Sequence, residues 1–587
     1  MGAARAQAQT AADDKRTLGR LEQESFDDAL AQLGLTVDAA PAGKTIGKIH
    51  VVNQEVFSRR DWWFQWFNHF HRTTRDYMLE RELLVKPGQP YDQALVEEST
   101  RHLQAPPPLV ITGRTLYQPE LSSVVVILPV VSQSAQPGQV DLLVVTRDLW
   151  SLRFNTNFEF QQNELTLLST SLSENNLFGW RKYLAMGFGF DQGAYNFGPT
   201  YFDPNIRGTR LTLYTRATFF AGRDSGDYEG NAQTVSVRYP LYSLASRWGG
   251  GVDVGHADQV ARNFQGRNLR LVDLAATPGV NDMIPYEYRW RRVTVDGNAA
   301  RSWPGWITQR VTLGYLVDSR RPSVLPDFPD PLLAPAFLAQ WAPISERRSE
   351  PYMRYELFTP RYVVLRDLDT FDLRENYRLG PSLALRVAYG LPALGADFAA
   401  LVLSASASWA VSPGGGYGRV AAAASARRLE SDGRFIDQYG EVSAYGASPV
   451  LGRLLRIVVN GQLQSVRADT QRTFFDLGGM SGLRGYAIGE FIGTTAAVAH
   501  VELRSMAVPV WSQRFGGVVF YDVGNAATSV AALVPFHDFG IGLRWLIPQF
   551  NSSVVRIDWA IATQDSPSGL TRAGLPGRAS AGFQQVF

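Results

Sequence analysis

From Ala497 to Arg504 the chain alternates strictly: Ala497, Ala499, Val501 and Leu503 are apolar, and His500, Glu502 and Arg504 stand among them at even positions. A period of two marks a strand with one apolar and one wet face. The pattern returns with Phe515, Val519, Tyr521 and Val523 against Asp522, and with Val555, Ile557, Trp559 and Ile561 against Arg556 and Asp558. Upstream, Leu211, Leu213, Ala217 and Phe219 oppose Arg210, Thr212, Arg216 and Thr218, and Leu455, Ile457, Val459 and Leu463 oppose Arg456, Asn460, Gln462 and Gln464. Strands of roughly ten residues, apolar on one side and charged on the other, suit a membrane barrel with lipid outside and water inside. Strand, turn and strand continue in this way from Leu149 to Phe587.

One stretch breaks the alternation. Phe475 to Glu490 sets five glycines around Arg484 and Tyr486 and predicts a long loop folded back on itself. Arg484 is the charge near its tip, and Asp522 faces the lumen on a nearby strand. A bidentate guanidinium–carboxylate pair between them would hold the loop inside the barrel.

These segments carry a resemblance. GLRGY, with Gly482, Arg484, Gly485 and Tyr486, resembles the RGF/RGY loop motif of the BamA/TamA superfamily of outer-membrane assembly and translocation barrels. FYDVG, with Asp522 and Gly524, resembles its F-x-D-x-G strand motif, and the resemblance implies that the aspartate holds the arginine. ENNLFGW (174–180) and YFDPNIRG (201–208) look like turns near the start of such barrels. The family norm is sixteen strands. After the GLRGY loop the sequence marks about five strands, and before it about thirteen to fifteen segments where that norm leaves room for eleven, so a larger barrel is open. The long connections at 257–283 and 320–349 are expected to be extracellular.

Ahead of the barrel, the order from Lys44 is strand, helix, helix, strand, strand. The helices are expected before Val85 and over Asp92 to Gln104, and the closing strands over Val124 to Val131 and Val140 to Thr146. With KPGQPYD between the helices, this resembles one POTRA module, which implies a periplasmic domain that adds client or partner segments to a sheet edge. The predicted division is residues 1–43 as signal remnant and linker with a short helix, 44–148 as the POTRA module, and 149–587 as the barrel. The fold class is thus mostly β, a transmembrane antiparallel barrel preceded by one α+β module. In DWWFQWFNHFHR the aromatics Trp62, Trp63 and Trp66 are candidate client or interface contacts, against the alternative that several are module core. Phe583 and Phe587 resemble a C-terminal barrel signal, from which Gln585 departs.

Composition narrows the rest. A net charge of +2 gives no argument for nucleic acid. With no cysteine there is no disulfide and no thiolate metal site. Aromatics at 12% and 53 glycines fit a barrel with aromatic girdles. A mean hydropathy of -0.13 does not argue against one, since half of each strand faces water. The chain has no G-x-S-x-G, P-loop or H-E-x-x-H. His69 and His71 have ligand spacing but no acid beside them, and Glu502, Arg504, Arg544, Arg556 and Asp558 read as wet lumen lining. No catalytic residue, cofactor or metal is therefore expected. The expected partners are the lipid bilayer, unfolded or secreted client proteins, and periplasmic or lipoprotein accessory subunits. The expected function is insertion or translocation of proteins at the outer membrane without nucleotide hydrolysis. A dedicated secretion pore or passive solute channel is the alternative.

Overall fold

The runs VVVIL (124–128) and LLVV (142–145) are apolar at every position, which a strand can bear only when both of its faces are covered. The computed structural model, which describes residues 18–57, 64–104, 109–111, 114–117, 122–132, 136–161, 164–265, 268–274, 283–371, 373–550 and 554–583, shows what covers them. Helix α1 (Arg20–Leu33) precedes β1 (Thr36–Val37) and β2 (Thr45–Gln54). Helices α2 (Asp76–Glu82) and α3 (Gln93–Gln104) follow, then β3 (Ser122–Val131) and β4 (Gln139–Asp148). The sheet order is β1-β3-β4-β2, with β2 parallel to β4. Leu79, Val96 and Leu103 of α2 and α3 pack with Val125, Ile127, Leu142 and Val144 on one face. On the other, Phe26 and Ala29 of α1 pack with Val124, Val126, Leu143 and Val145. The helix expected in a linker before residue 44 thus forms one of the module's two layers, ending at Gly34 in the left-handed conformation with φ 63°.

The barrel strands begin with β5 (Leu152–Gln161), β6 (Glu164–Leu177), β7 (Lys182–Phe190), β8 (Ala194–Asp203), β9 (Thr212–Gly222), β10 (Tyr228–Tyr239) and β11 (Trp248–Arg262). Next come β12 (Glu287–Trp303), β13 (Thr308–Ser323), β14 (Glu346–Phe358), β15 (Glu375–Gly390), β16 (Ala400–Val411), β17 (Tyr417–Leu429), β18 (Phe435–Ala447) and β19 (Leu455–Arg467). After a long loop, β20 (Thr495–Ser505), β21 (Gln513–Ala527), β22 (Phe536–Leu546), β23 (Val555–Ala562) and β24 (Arg578–Phe583) complete a closed antiparallel barrel, β24 pairing with β5. The wall has twenty strands rather than sixteen, and the fifteen before the loop all lie in it. Separate short pairs, Phe264–Gln265 with Asn268–Leu269 and Leu271–Asp273 with Met283–Pro285, stand in the connection between β11 and β12.

The outer face explains the alternation. Met186, Val252, Leu313, Val420, Val442, Val519 and Ile541 are each more than half exposed, a belt too apolar for water. Trp248, Trp303, Trp306, Trp409 and Trp511 ring it at the module end, as at a lipid–water interface. Among the described residues no helix is long and apolar enough to cross a membrane, and the crossing is made by strands. The connections 263–286 and 324–345 lie at the end away from the module, as expected of the long ones, with strands reaching further into them than the sequence marked.

The module docks on the short turns of its own end. Arg81 Nη2 donates to Asn205 Oδ1 at 2.6 Å, Leu244 N–H donates to Glu98 Oε1 at 2.6 Å, and Arg75 N–H donates to the Gly179 carbonyl at 3.2 Å. The turns at 174–180 and 201–208 are therefore docking points. His102, on α3, faces the Tyr242 ring at 5.9 Å and is 8% exposed. Burial, helped by Arg101 and Arg210 and opposed by Glu82, pulls its imidazole from 6.5 down to about 4. A buried neutral histidine must be charged in acid, so its contribution is complete above pH 6.5 and is lost as pH falls from there toward 4. The loss is on the order of 3 kcal/mol at most, at about 1.4 kcal/mol per pKa unit. Protease cleavage of the module should accelerate across that window, and His102→Gln should flatten the profile.

Candidate functional site

Twenty-seven residues separate β19 from β20, and the loop they form turns inward at its glycines instead of standing above the rim. Leu483, Tyr486 and Phe491 pack with Ala496, Ala526 and Ala562 of the inner wall. The Tyr486 ring meets Phe491 edge-on at 5.1 Å, and its hydroxyl lies 3.1 Å from the His537 carbonyl. Glu490 accepts from Thr571 Oγ1 at 3.1 Å and from Ser568, tying the loop to the neighbouring connection at 563–577.

At the tip, Arg484 Nε and Nη2 each donate to one oxygen of Asp522 at 2.7 Å. Nη1 donates to Glu502 at 2.8 Å and lies 3.5 Å from Asp558. The guanidinium carbon sits 3.4 Å above the Phe520 ring, so the aromatic and the acid of F-x-D hold the same cation. Around it, Asp558 also takes Arg544 at 2.5 Å and Arg556 at 3.2 Å, and His500 Nδ1 stands 2.9 Å from Asp522. Asp538, opposite Asp522 in register, accepts the Gly485 N–H at 3.0 Å. Gly485 has no room for a side chain: a Cβ would stand 2.7 Å from that of Asp538 and 2.9 Å from the Ala562 nitrogen. Gly485→Ala should therefore cost about 1–3 kcal/mol by overpacking, read as a lower urea midpoint of the folded barrel.

A second insertion rises from the opposite end. The turn 366–374, between β14 and β15, folds up into the lumen, with Leu368 in the apolar cluster of Leu379, Tyr417 and Val458. Phe371 and Leu373 pack on Leu546 and Val554, and a Cβ on Gly516 would come 2.6 Å from the Phe371 ring, so the bare glycine makes the ring's seat. Arg504 Nη1 donates to the Leu368 carbonyl at 2.8 Å while its Nε donates to Glu502 at 2.7 Å. The module reaches the same turn: Gln104 Nε2 donates to the Arg374 carbonyl at 2.6 Å, and Arg366 lies 3.5 Å from Glu22. Loop tip, wall, turn and module are thus joined through Arg484, Glu502, Arg504 and Gln104.

No protein-family model matches the chain, and no curated protein matches its sequence. Solved structures align at low similarity. CdiB from Acinetobacter baumannii aligns over 98% of this chain and 97% of its own, at 11% identity and a TM-score of 0.39. CdiB from Escherichia coli aligns over 92% and 77%, at 10% identity and 0.40, and BamA from Haemophilus ducreyi lacking POTRA domains 1-3 over 92% and 83%, at 12% identity and 0.32. Scores of this size carry no functional assignment, which rests instead on the strands, loop and turns of this chain.

Of the residues singled out from sequence, the structure brings Gly482, Arg484, Gly485, Tyr486, Asp522 and Gly524 into one region of the lumen, Gly524 lying opposite Val498 in register. It also brings in Glu502 and Asp558, whose inward direction was legible and whose meeting at one guanidinium was not, and Asp538, which holds the loop backbone at Gly485. Trp62 and Trp63 lie outside the described residues. Trp66 is 54% exposed, whereas Phe64 and Phe67 pack with Phe57, Trp150 and Phe550 at the module–barrel junction. His69 and His71 hydrogen-bond to Trp66 and Ser151 respectively. Phe583 pairs with Val555 in the last strand, and Phe587 and Gln585 lie outside the described residues.

Proposed function

We propose that this protein inserts or translocates other proteins at the outer membrane of a Gram-negative-type envelope, without nucleotide hydrolysis, as a barrel of the BamA/TamA type. The observation that carries the reading is the glycine loop folded into the lumen with Arg484 held by the aromatic and the acid of FYDVG, the arrangement the two motifs imply together. The module, read as a periplasmic POTRA domain of residues 44–148 extended by α1, offers β2 and the short β1 as sheet edges for an extended client. Unfolded or secreted clients are the partners this layout suits, with the bilayer around the belt and accessory subunits at the module. The seam gives a place for the step. Among the described residues β24 meets β5 through two residue pairs, Ser580 with Glu159 and Ala581 with Phe158, whereas the β11–β12 pairing spans fifteen. Opening at that seam would free backbone groups to template an incoming strand, which lipid tolerates nowhere else along the wall.

A second reading, a dedicated pore for one secreted partner or for solutes, draws support from a cavity of about 840 Å³ along one side of the lumen. Reconstitution separates the two. Vesicles holding the full chain should speed the folding of an unfolded client barrel, and deletion of residues 44–148 should abolish that gain while ion conductance survives. No acceleration by the full chain sinks the insertion reading, and transport indifferent to the deletion favours the pore.

A further inference from the structure

The two inserted segments pack on β20 to β23 and, through Leu368, on the module-side ends of β15 to β19, and they leave most of the wall from β8 to β16 facing open space. Small inward residues widen that side, among them Gly249, Gly251 and Gly255 of β11 and Ser404, Ser406 and Ser408 of β16. The cavity of about 840 Å³ lies here and runs from Glu82 of the module, past the turns at 204–212 and 239–242, to Arg348 near the far end of β14. Among the described residues its walls carry eight arginines and four carboxylates.

Arg210, Arg238 and Arg292 each have a carboxylate, in Glu82, Asp253 and Asp318, whereas Arg310, Arg348, Arg354 and Arg386 share two among four. Glu350, buried on the same inward face of β14, takes Arg348 at 2.7 Å and lies 3.8 Å from Arg386, and Glu356 takes Arg354 at 2.9 Å and lies 3.9 Å from Arg310. Arg386 rests on the Tyr352 ring at 4.5 Å, and the Arg354 side chain is 42% exposed to the cavity. Inward residues on one strand recur every two positions, about 6.6 Å apart. Arg354 on β14 stands opposite Arg386 on β15 in register, Arg310 on β13 lies one inward step nearer the module opposite Glu356, and Arg348 lies three steps toward the far end, so the four set cationic stations at multiples of that spacing, which alternate side chains of an extended peptide can match.

We infer that this wall is a binding track for extended acidic polypeptide segments, whose carboxylates take the guanidinium positions that Glu350 and Glu356 leave half-satisfied. It goes beyond the insertion reading, since it holds for the barrel whatever the module captures. A segment entering from the module end meets Arg210 and Arg310 first and Arg348 last. The field of shared pairs draws carboxylates in and repels lysine-rich chains, an effect that salt screens.

The test uses the full chain in nanodiscs and a fluorescent glutamate-rich hexapeptide, with a lysine-rich hexapeptide and inorganic phosphate as comparisons. The acidic peptide should bind, weaken on going from 50 to roughly 500 mM salt, and lose at least tenfold in affinity when Arg354→Gln and Arg386→Gln are combined. Glu356→Gln, which frees two guanidiniums without removing one, should tighten binding and keeps the test decisive if the double variant does not fold. Equal affinity for the lysine peptide, indifference to Glu356→Gln, or phosphate binding as tightly as the peptide would each overturn the track, the last by showing an isolated anion pocket in its place. A failed client-folding assay leaves all these outcomes unchanged.

Discussion

Arg484→Ala is expected to destabilise the barrel by about 3–5 kcal/mol, the cost of removing one partner from a buried ion pair. The reason is the company the guanidinium keeps. Asp522, Glu502 and Asp558 all lie within 3.5 Å of it, and Asp538 stands in register opposite Asp522. Without the cation these carboxylates face one another in a wall closed to water. Asp522→Ala should cost less, because Arg484 keeps Glu502 at 2.8 Å and Asp558 at 3.5 Å. Arg484→Lys should fall between, since an ammonium cannot span both oxygens of Asp522. The measurement is the urea midpoint of the heat-modifiable folded band, with a double-mutant cycle for Arg484 and Asp522. Strictly additive losses in that cycle would refute the pairing as a source of stability.

Shortening the turn by removing residues 367–373 is expected to raise single-channel conductance several-fold and to make the module easier to cleave. Leu368 is fully buried and Phe371 is 4% exposed, so the turn fills the lumen floor instead of lining it. Its removal also deletes the Leu368 carbonyl that accepts from Arg504 and disturbs the Arg374 carbonyl that accepts from Gln104. Phe371→Ala is the milder version, at about 3–5 kcal/mol for a buried phenylalanine, with a smaller rise in conductance. Unchanged conductance in the shortened chain would mean that another segment closes the barrel.

The residues that predicted the wall did so through parity. Val501 and Leu503 point to lipid while Glu502 and Arg504 are buried inside, as an alternating sequence requires once one face is committed to the membrane. The fold class and the Arg484 region followed from that parity, because a glycine-rich loop with one arginine and an inward aspartate leave few other partners. The second layer of the module is also written in the sequence: strands as continuously apolar as Val124 to Val130 need cover on both faces, and α1 supplies it. The alternating segments themselves number close to the twenty strands of the wall, whereas the sixteen of the family norm fall short.

What the chain determined on its own was which side chains look inward. Tertiary structure decided at what height they meet. Glu502, Asp522 and Asp558 converge on one cation because three pairings and the closure of the barrel fix the stagger of neighbouring strands, and stagger is a property of the whole ring. The turn at 366–374 reads locally as an ordinary loop, and its place in the lumen depends on Gly516, nearly 150 residues away, leaving room for a ring. The open arginine wall has the same origin: it exists because the two insertions leave most of β8 to β16 uncovered. Alternation is local and survives in sequence, whereas the filling of a lumen is decided only when distant strands share one circumference.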